Sequence, residues 1–275
     1  MIDIVTVVFE PELDTLRLQA RSIDLYCRRI GVRNIYVVVN DSELLAQKID
    51  PVWWGAFAPQ VLIVPRRVFS TEFSNNGWLS QQALKILTAS VSHNTWSMIL
   101  DAKTILIQDL DPAKLIDSQG RIKVGHMPVY PVFEPARQIV NEFYKIDLDS
   151  QLGPGGVPFF FHNDTVRLMI AETAFRAKKN FPTWFQAQGQ LTEFVLYSGF
   201  LKHRFGSFDA FYSPDNAVFP CNVCHSEVER FDAKLAEMLQ PTTTTVSIHR
   251  DAWTQLSAEQ QQQYQNLLIS RGITT

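Results

Sequence analysis

Residues 77–106 read GWLSQQALKILTASVSHNTWSMILDAKTIL and join a helical pattern to a buried strand. Gly77 to Ser92 has helical spacing, and Trp96 to Asp101 is a short apolar run that stops at Asp101-Ala102-Lys103. The same alternation precedes it. Ile2 to Phe9 is apolar and rich in β-branched residues, as a strand covered on both faces should be. From Glu12 to Ile30, Leu13, Leu16, Ala20, Ile23, Cys27 and Ile30 fall three or four apart and share one helix face, and Gly31 is expected to end that helix. Asn34 to Asn40 reads as the second strand, Ser42 to Ile49 as a short helix and Gln60 to Arg66 as the third strand. Repeated strand–helix–strand units predict an α/β, Rossmann-like fold with a central, mostly parallel sheet flanked by helices. Such sheets bind ligands beyond the carboxyl ends of their strands, here Thr6 to Glu10 (with Val8), Asn40-Asp41, Pro65 to Arg67 with Arg66, and Asp101 to Lys103.

The remainder is less regular. Strands are predicted at Ile122 to His126, Pro158 to His162 and Thr242 to His249. Helices are predicted at Glu134 to Tyr144, Asp164 to Phe175, Thr192 to Phe205 and Ser226 to Leu239. The tail from Ser257 is read as helical, with Ser257 and Gln260 at capping-box spacing. No internal repeat or linker is visible.

Composition narrows the function classes. The chain has 275 residues, 46% hydrophobic and 12% aromatic, which is incompatible with disorder and ample for a core. A net charge of −3 with no block of like charges argues against a nucleic-acid partner. The start, MIDIVTVVFEPELD, lacks the basic region of a signal peptide, and no apolar run reaches the length of a membrane span, so a cytoplasmic protein is expected. Cys27, Cys221 and Cys224 are then not a disulfide framework. Cys221-Asn222-Val223-Cys224-His225 spells a haem-attachment pattern, but that chemistry needs an exported chain, and a zinc site would need a second cysteine pair.

The run from the Gln81, Gln82 and Lys85 helix to Asp101-Ala102-Lys103 resembles the GT-A superfamily of glycosyltransferases. It is similar to an uncharacterised bacterial group within that superfamily, often associated with surface polysaccharides, with a like Gly-Trp…Gln-Gln…Leu-Lys helix and Leu-Asp-Ala motif. The resemblance implies one domain over residues 1–275: a nucleotide-binding half to about 112, an acceptor half to about 250, and a helical tail. It implies a nucleotide-sugar donor held by Thr6, Val8, Asn40, Asp41, Arg66, Gln81, Gln82, Lys85, Asp101, Lys103 and Arg250. The acceptor would be a saccharide or a lipid-linked one. Glu193, at a helix start, matches the carboxylate that deprotonates the acceptor hydroxyl in inverting members, though acids also favour helix starts for dipole reasons. Tyr197, one turn on, is expected in the acceptor pocket, together with Gly155, Gly156, His162 and Asn163 from the segment GPGGVPFFFHN.

The superfamily holds a divalent cation, Mn or Mg, on an Asp-x-Asp motif, whereas this chain has Asp101-Ala102-Lys103. Either Asp101 and His249 hold a cation, or Lys103 and Arg250 supply the positive charge and no cofactor is needed; the reading leans to the second. Two other functions remain open. One is a nucleotidyltransferase, disfavoured by Phe9-Glu10-Pro11-Glu12 where a Gly-rich loop would stand; the other is a catalytically silent nucleotide-sugar binder, favoured by Lys103.

Overall fold

The computed structural model describes residues 1–40, 43–70, 73, 76–125, 127–128, 130–148, 151–152 and 157–274. Asp41, Gly155 and Gly156, expected in the site, lie outside the described residues, as does His126 at the end of a predicted strand.

The chain opens with β1 (Ile2–Val8), α1 (Leu13–Tyr26), β2 (Val32–Val39), β3 (Val61–Pro65), α2 (Gly77–Val91) and β4 (Trp96–Asp101). The short β5 (Ile105–Leu106) follows, then α3 (Glu134–Tyr144), β6 (Phe159–His162), α4 (Asn163–Ala177), α5 (Phe181–Ala187) and α6 (Glu193–Phe205). The last part holds β7 (Pro220–Val223), α7 (Phe231–Met238), β8 (Thr245–Ile248), α8 (Arg250–Trp253) and α9 (Ala258–Ser270).

The main sheet has the order β3-β2-β1-β4-β6. The first four strands are parallel, and all seven residues of β1 are buried, so the apolar runs read in the sequence are explained by cover on both faces. β6 joins antiparallel, with Trp96 opposite His162 and Ile99 opposite Phe159. Phe159, Phe160 and Phe161 are all in the core. A second, three-stranded sheet, β7-β8-β5, packs with α7 and α9 around Phe231, Met238, Tyr264 and Leu268. The two-residue strands Ile122–Lys123 and Tyr212–Ser213 pair in parallel.

Local signals explain most boundaries. Asn76 caps α2 by accepting from the Leu79 N–H, and Thr192 caps α6 by accepting from Val195. The Ser257–Gln260 capping box forms as its spacing predicts. The first helix ends at Tyr26, four residues before Ile30, and Gly31 then takes a positive φ of 66° in the turn into β2. Ser226 to Leu239, read as one helix, is a 3-10 turn over His225–Arg230 followed by α7. No helix among the described residues is long and apolar enough to cross a membrane.

Candidate active site

A cleft of about 900 Å³ opens at the carboxyl ends of β1, β2 and β4. It draws on both sheets: Phe9, Asn40, Arg66, Asp101 and Lys103 come from the main-sheet side, and Asn222, Ser247, His249 and Arg250 from the second. The starts of α2 and α6 close it, bringing Gln81, Gln82, Lys85 and Glu193.

At its floor the Lys85 ammonium bridges two carboxylates, Asp101 Oδ1 at 2.7 Å and Glu193 Oε1 at 2.8 Å. Lys103 Nζ lies 3.1 Å from Asp101 Oδ2. Gln82, turned so that its amide nitrogen faces Glu193, donates to Oε1 at 2.6 Å and also to Oε2, while its oxygen accepts from Trp78 Nε1 at 3.2 Å. Lys85 sits 5.4 Å from the Phe194 ring centroid. Burial penalises the Lys85 ammonium, but Asp101 and Glu193 more than offset this and hold it above the ordinary lysine range. Burial acts on Asp101 in the opposite sense to its neighbours, and Lys103 and Lys85 together hold it below the carboxylate range. For Glu193, burial wins over Lys85 and raises the pKa.

The turn after β4 is fixed from beneath. Gln19 on α1 donates from Nε2 to the carbonyls of Asp101 at 2.5 Å and Thr104 at 2.9 Å. Lys103 thereby presents its chain to the cleft from a supported loop. Arg250 lies 5.7 Å from the Phe9 ring centroid on the far wall.

The expected residues divide cleanly. Asn40, Arg66, Gln81, Gln82, Lys85, Asp101, Lys103, Glu193, His249 and Arg250 all line the cleft. Asn40 is mostly committed to the α2 start, donating to the Gly77 carbonyl and accepting from Ser80. Thr6 and Val8 do not line it; their side chains are wholly buried within the main sheet, because a strand residue faces a layer of the core until the strand ends. His162, Asn163 and Tyr197 are also not brought there. Since β6 runs antiparallel, its end lies beside Trp96 at the opposite edge of the sheet, about 17 Å from Asp101 at the usual strand rise. His162 stacks edge-on to Trp96, and burial holds its pKa below the ordinary histidine value. Asn163 Nδ2 donates to Ser92 Oγ and the Asn94 carbonyl, in a buried network with Asp3. Tyr197 lies one turn down from the cleft floor, where its hydroxyl accepts from the His162 N–H and meets Thr165 Oγ1 at 2.8 Å.

Glu193 differs from the expected acceptor base in one respect. It is only 1% exposed, and both its oxygens already accept hydrogen bonds from Lys85 or Gln82. As it stands, it anchors Lys85 rather than offering an oxygen to a ligand.

The two residues expected to hold a divalent cation, Asp101 and His249, both line the cleft and both have other partners. Both oxygens of Asp101 are engaged by ammonium groups, and His249 uses Nδ1 to cap α8 by accepting from the Asp251 N–H. Among the described residues no group of three or more His, Cys, Asp or Glu is placed to share a metal. The cysteines are free, Cys27 and Cys221 buried and Cys224 exposed.

Sequence reading did not assign Glu12, Trp78, Gln19 or Cys224 to the site. Glu12 and Trp78 line the cleft. Gln19 had a legible signal, a lone amide on the helix face shared by Leu16, Ala20 and Ile23. Glu12 had only its position just after β1.

The main sheet, with a cleft at its carboxyl edge, makes a Rossmann-like α/β fold, and its likeness to solved glycosyltransferases marks it as GT-A-type. The structure of the glycosyltransferase GlyE from Streptococcus pneumoniae TIGR4 supports this, with a TM-score of 0.51 at 11% identity over 98% of this chain. This chain spans only 61% of GlyE. Galactosyltransferase LgtC, solved with donor and acceptor sugar analogs, aligns over 99% of this chain and 96% of its own at 15% identity and a TM-score of 0.49. Mouse xyloside xylosyltransferase 1 aligns over 91% and 99% at 10% identity and a TM-score of 0.47. No curated protein matches the chain. Residues 9–238 match DUF6492, a family of unknown function, and the chain belongs to that family.

Proposed function

We propose that this protein is a glycosyltransferase that moves a sugar from a nucleotide-sugar donor to a saccharide or lipid-linked acceptor, in the synthesis of a bacterial surface polysaccharide. One observation carries the reading: a cleft at the carboxyl edge of a GT-A-type sheet whose lining includes Arg66, Arg250 and Lys103, the last paired with Asp101. Anionic phosphates leave as sugar is transferred, and fixed cations stabilise the charge that develops. Here those cations are side chains. Lys103 meets the diphosphate as a point charge, oriented by its contact with Asp101. Arg250 contributes from the opposite wall. Lys85, neutralised by two carboxylates, keeps Asp101 and the α6 start in place and is a positioning residue.

A silent nucleotide-sugar binder is the second reading, favoured by the saturated hydrogen bonding of Glu193. A thermal-shift panel of nucleoside diphosphates followed by a donor-hydrolysis assay tests both. Binding with slow hydrolysis supports the transferase; binding with no hydrolysis or transfer to any saccharide leaves the silent binder. No binding to any nucleotide refutes both.

A further inference from the structure

The cleft contains a third carboxyl group that its two neighbours' roles do not explain. Glu12 stands immediately before α1, its side chain making no capping hydrogen bond, and lines the cleft with Asp101 and Lys103. Asp101 and Glu193 each accept from an ammonium, whereas Glu12 makes no ion pair among the described residues. Its Oε2 is shielded from solvent and has no hydrogen-bond partner. A carboxylate left in that state has lost water without gaining a donor, which is costly; a carboxylic acid has lost less and carries a proton to give.

Resting on the reading of the cleft as a nucleotide-diphosphate site, we propose that Glu12 is the group through which ligand binding takes up a proton, the protonated carboxyl donating a hydrogen bond to the anionic ligand. The charges around Glu12 agree. Burial raises its pKa to about 7; Lys103, Lys85 and Arg250 pull the other way, and Asp101 adds to the rise. The α1 N-terminus also favours the anion, so a neutral Glu12 is held against its own helix by burial. A diphosphate entering between Lys103 and Arg250 brings negative charge beside this group and offsets the same cations that favour its ionised form. The bound state therefore favours the acid more strongly than the free state. The proton comes from solvent and adds to the Glu12 carboxylate, and no bond of the ligand is made or broken.

The proposal gives the site a ligand preference. An anionic diphosphate binds with a proton, while an uncharged nucleoside, bringing no charge, binds without one. Calorimetric titration at pH 8 with UDP, GDP, ADP and CDP, in buffers of low and high ionisation enthalpy, reads the protons taken up per ligand. The expected result is close to one proton for the native chain and none for Glu12→Gln. Apparent affinity should weaken by about tenfold per pH unit from pH 8 to 9 in the native chain and stay flat in Glu12→Gln. Binding with equal proton uptake in both proteins, or with none in either, overturns the role of Glu12 and leaves the nucleotide site standing. Failure of all four nucleotides to bind overturns the nucleotide site and this inference together.

Discussion

Replacing Lys85 by Met tests the organisation of the cleft floor. The side chain is 3% exposed and bridges Asp101 and Glu193, the latter 1% exposed. Methionine fills most of the volume but removes the charge. Asp101 retains Lys103, so the damage falls on Glu193, which is left buried with only Gln82 as donor. Removing one partner of a buried ion pair costs about 3–5 kcal/mol. At roughly 2–4 °C per kcal/mol, a chain of this size should lose on the order of 6–20 °C in Tm. The sign of the pH dependence follows from Glu193. Its folded pKa lies above the ordinary value, so the folded state holds a proton that the unfolded state releases, and stability falls as pH rises above the ordinary glutamate range. The deficit of Lys85→Met should therefore be larger at pH 8 than at pH 5. Adding Glu193→Gln removes the stranded charge, so the double variant should recover most of the loss and show a strongly non-additive cycle. Scanning calorimetry of the four proteins at both pH values measures this. A Lys85→Met protein as stable as the native one, or a deficit that does not change with pH, would refute the argument.

Three further outcomes are expected. Chelator should leave nucleotide binding and transfer unchanged, while Lys103→Ala weakens both; loss of transfer with EDTA and its return with manganese would make Asp101 and His249 metal ligands after all. Gly199→Ala places a Cβ 2.0 Å from Val140 Cγ1 where α6 packs on α3, and should destabilise by about 1–3 kcal/mol in chemical denaturation, with Val140→Ala restoring part of it. Glu12→Gln should melt above the native chain at pH 8 but not at pH 5, because the native carboxyl, with a folded pKa near 7, carries its penalty only once ionised.

Periodicity alone identified the four parallel strands and the helices between them, because a strand buried on both faces and a helix buried on one leave different spacings of apolar residues. With the strand-end rule, that placed Asn40, Arg66, Asp101 and Lys103 at one edge of the sheet. His249 and Arg250 were legible only as the end of a late strand. Their arrival at the same cleft depends on β8 pairing with β5, where Val246 meets Ile105 across a long sequence separation. The direction of β6 was invisible to periodicity, since parallel and antiparallel strands share the same two-residue repeat. That direction carries His162 and Asn163 to the far edge of the sheet. Charge pairing was equally hidden. Lys85 and Glu193 are 108 residues apart, and only the packing of α6 against α2 lets one ammonium pair with both Asp101 and the buried Glu193, while Glu12 Oε2 in the same cleft has no partner among the described residues. Local patterning depends on side chains within a few residues; the protonation and pairing of a site depend on which charges the finished core excludes from water.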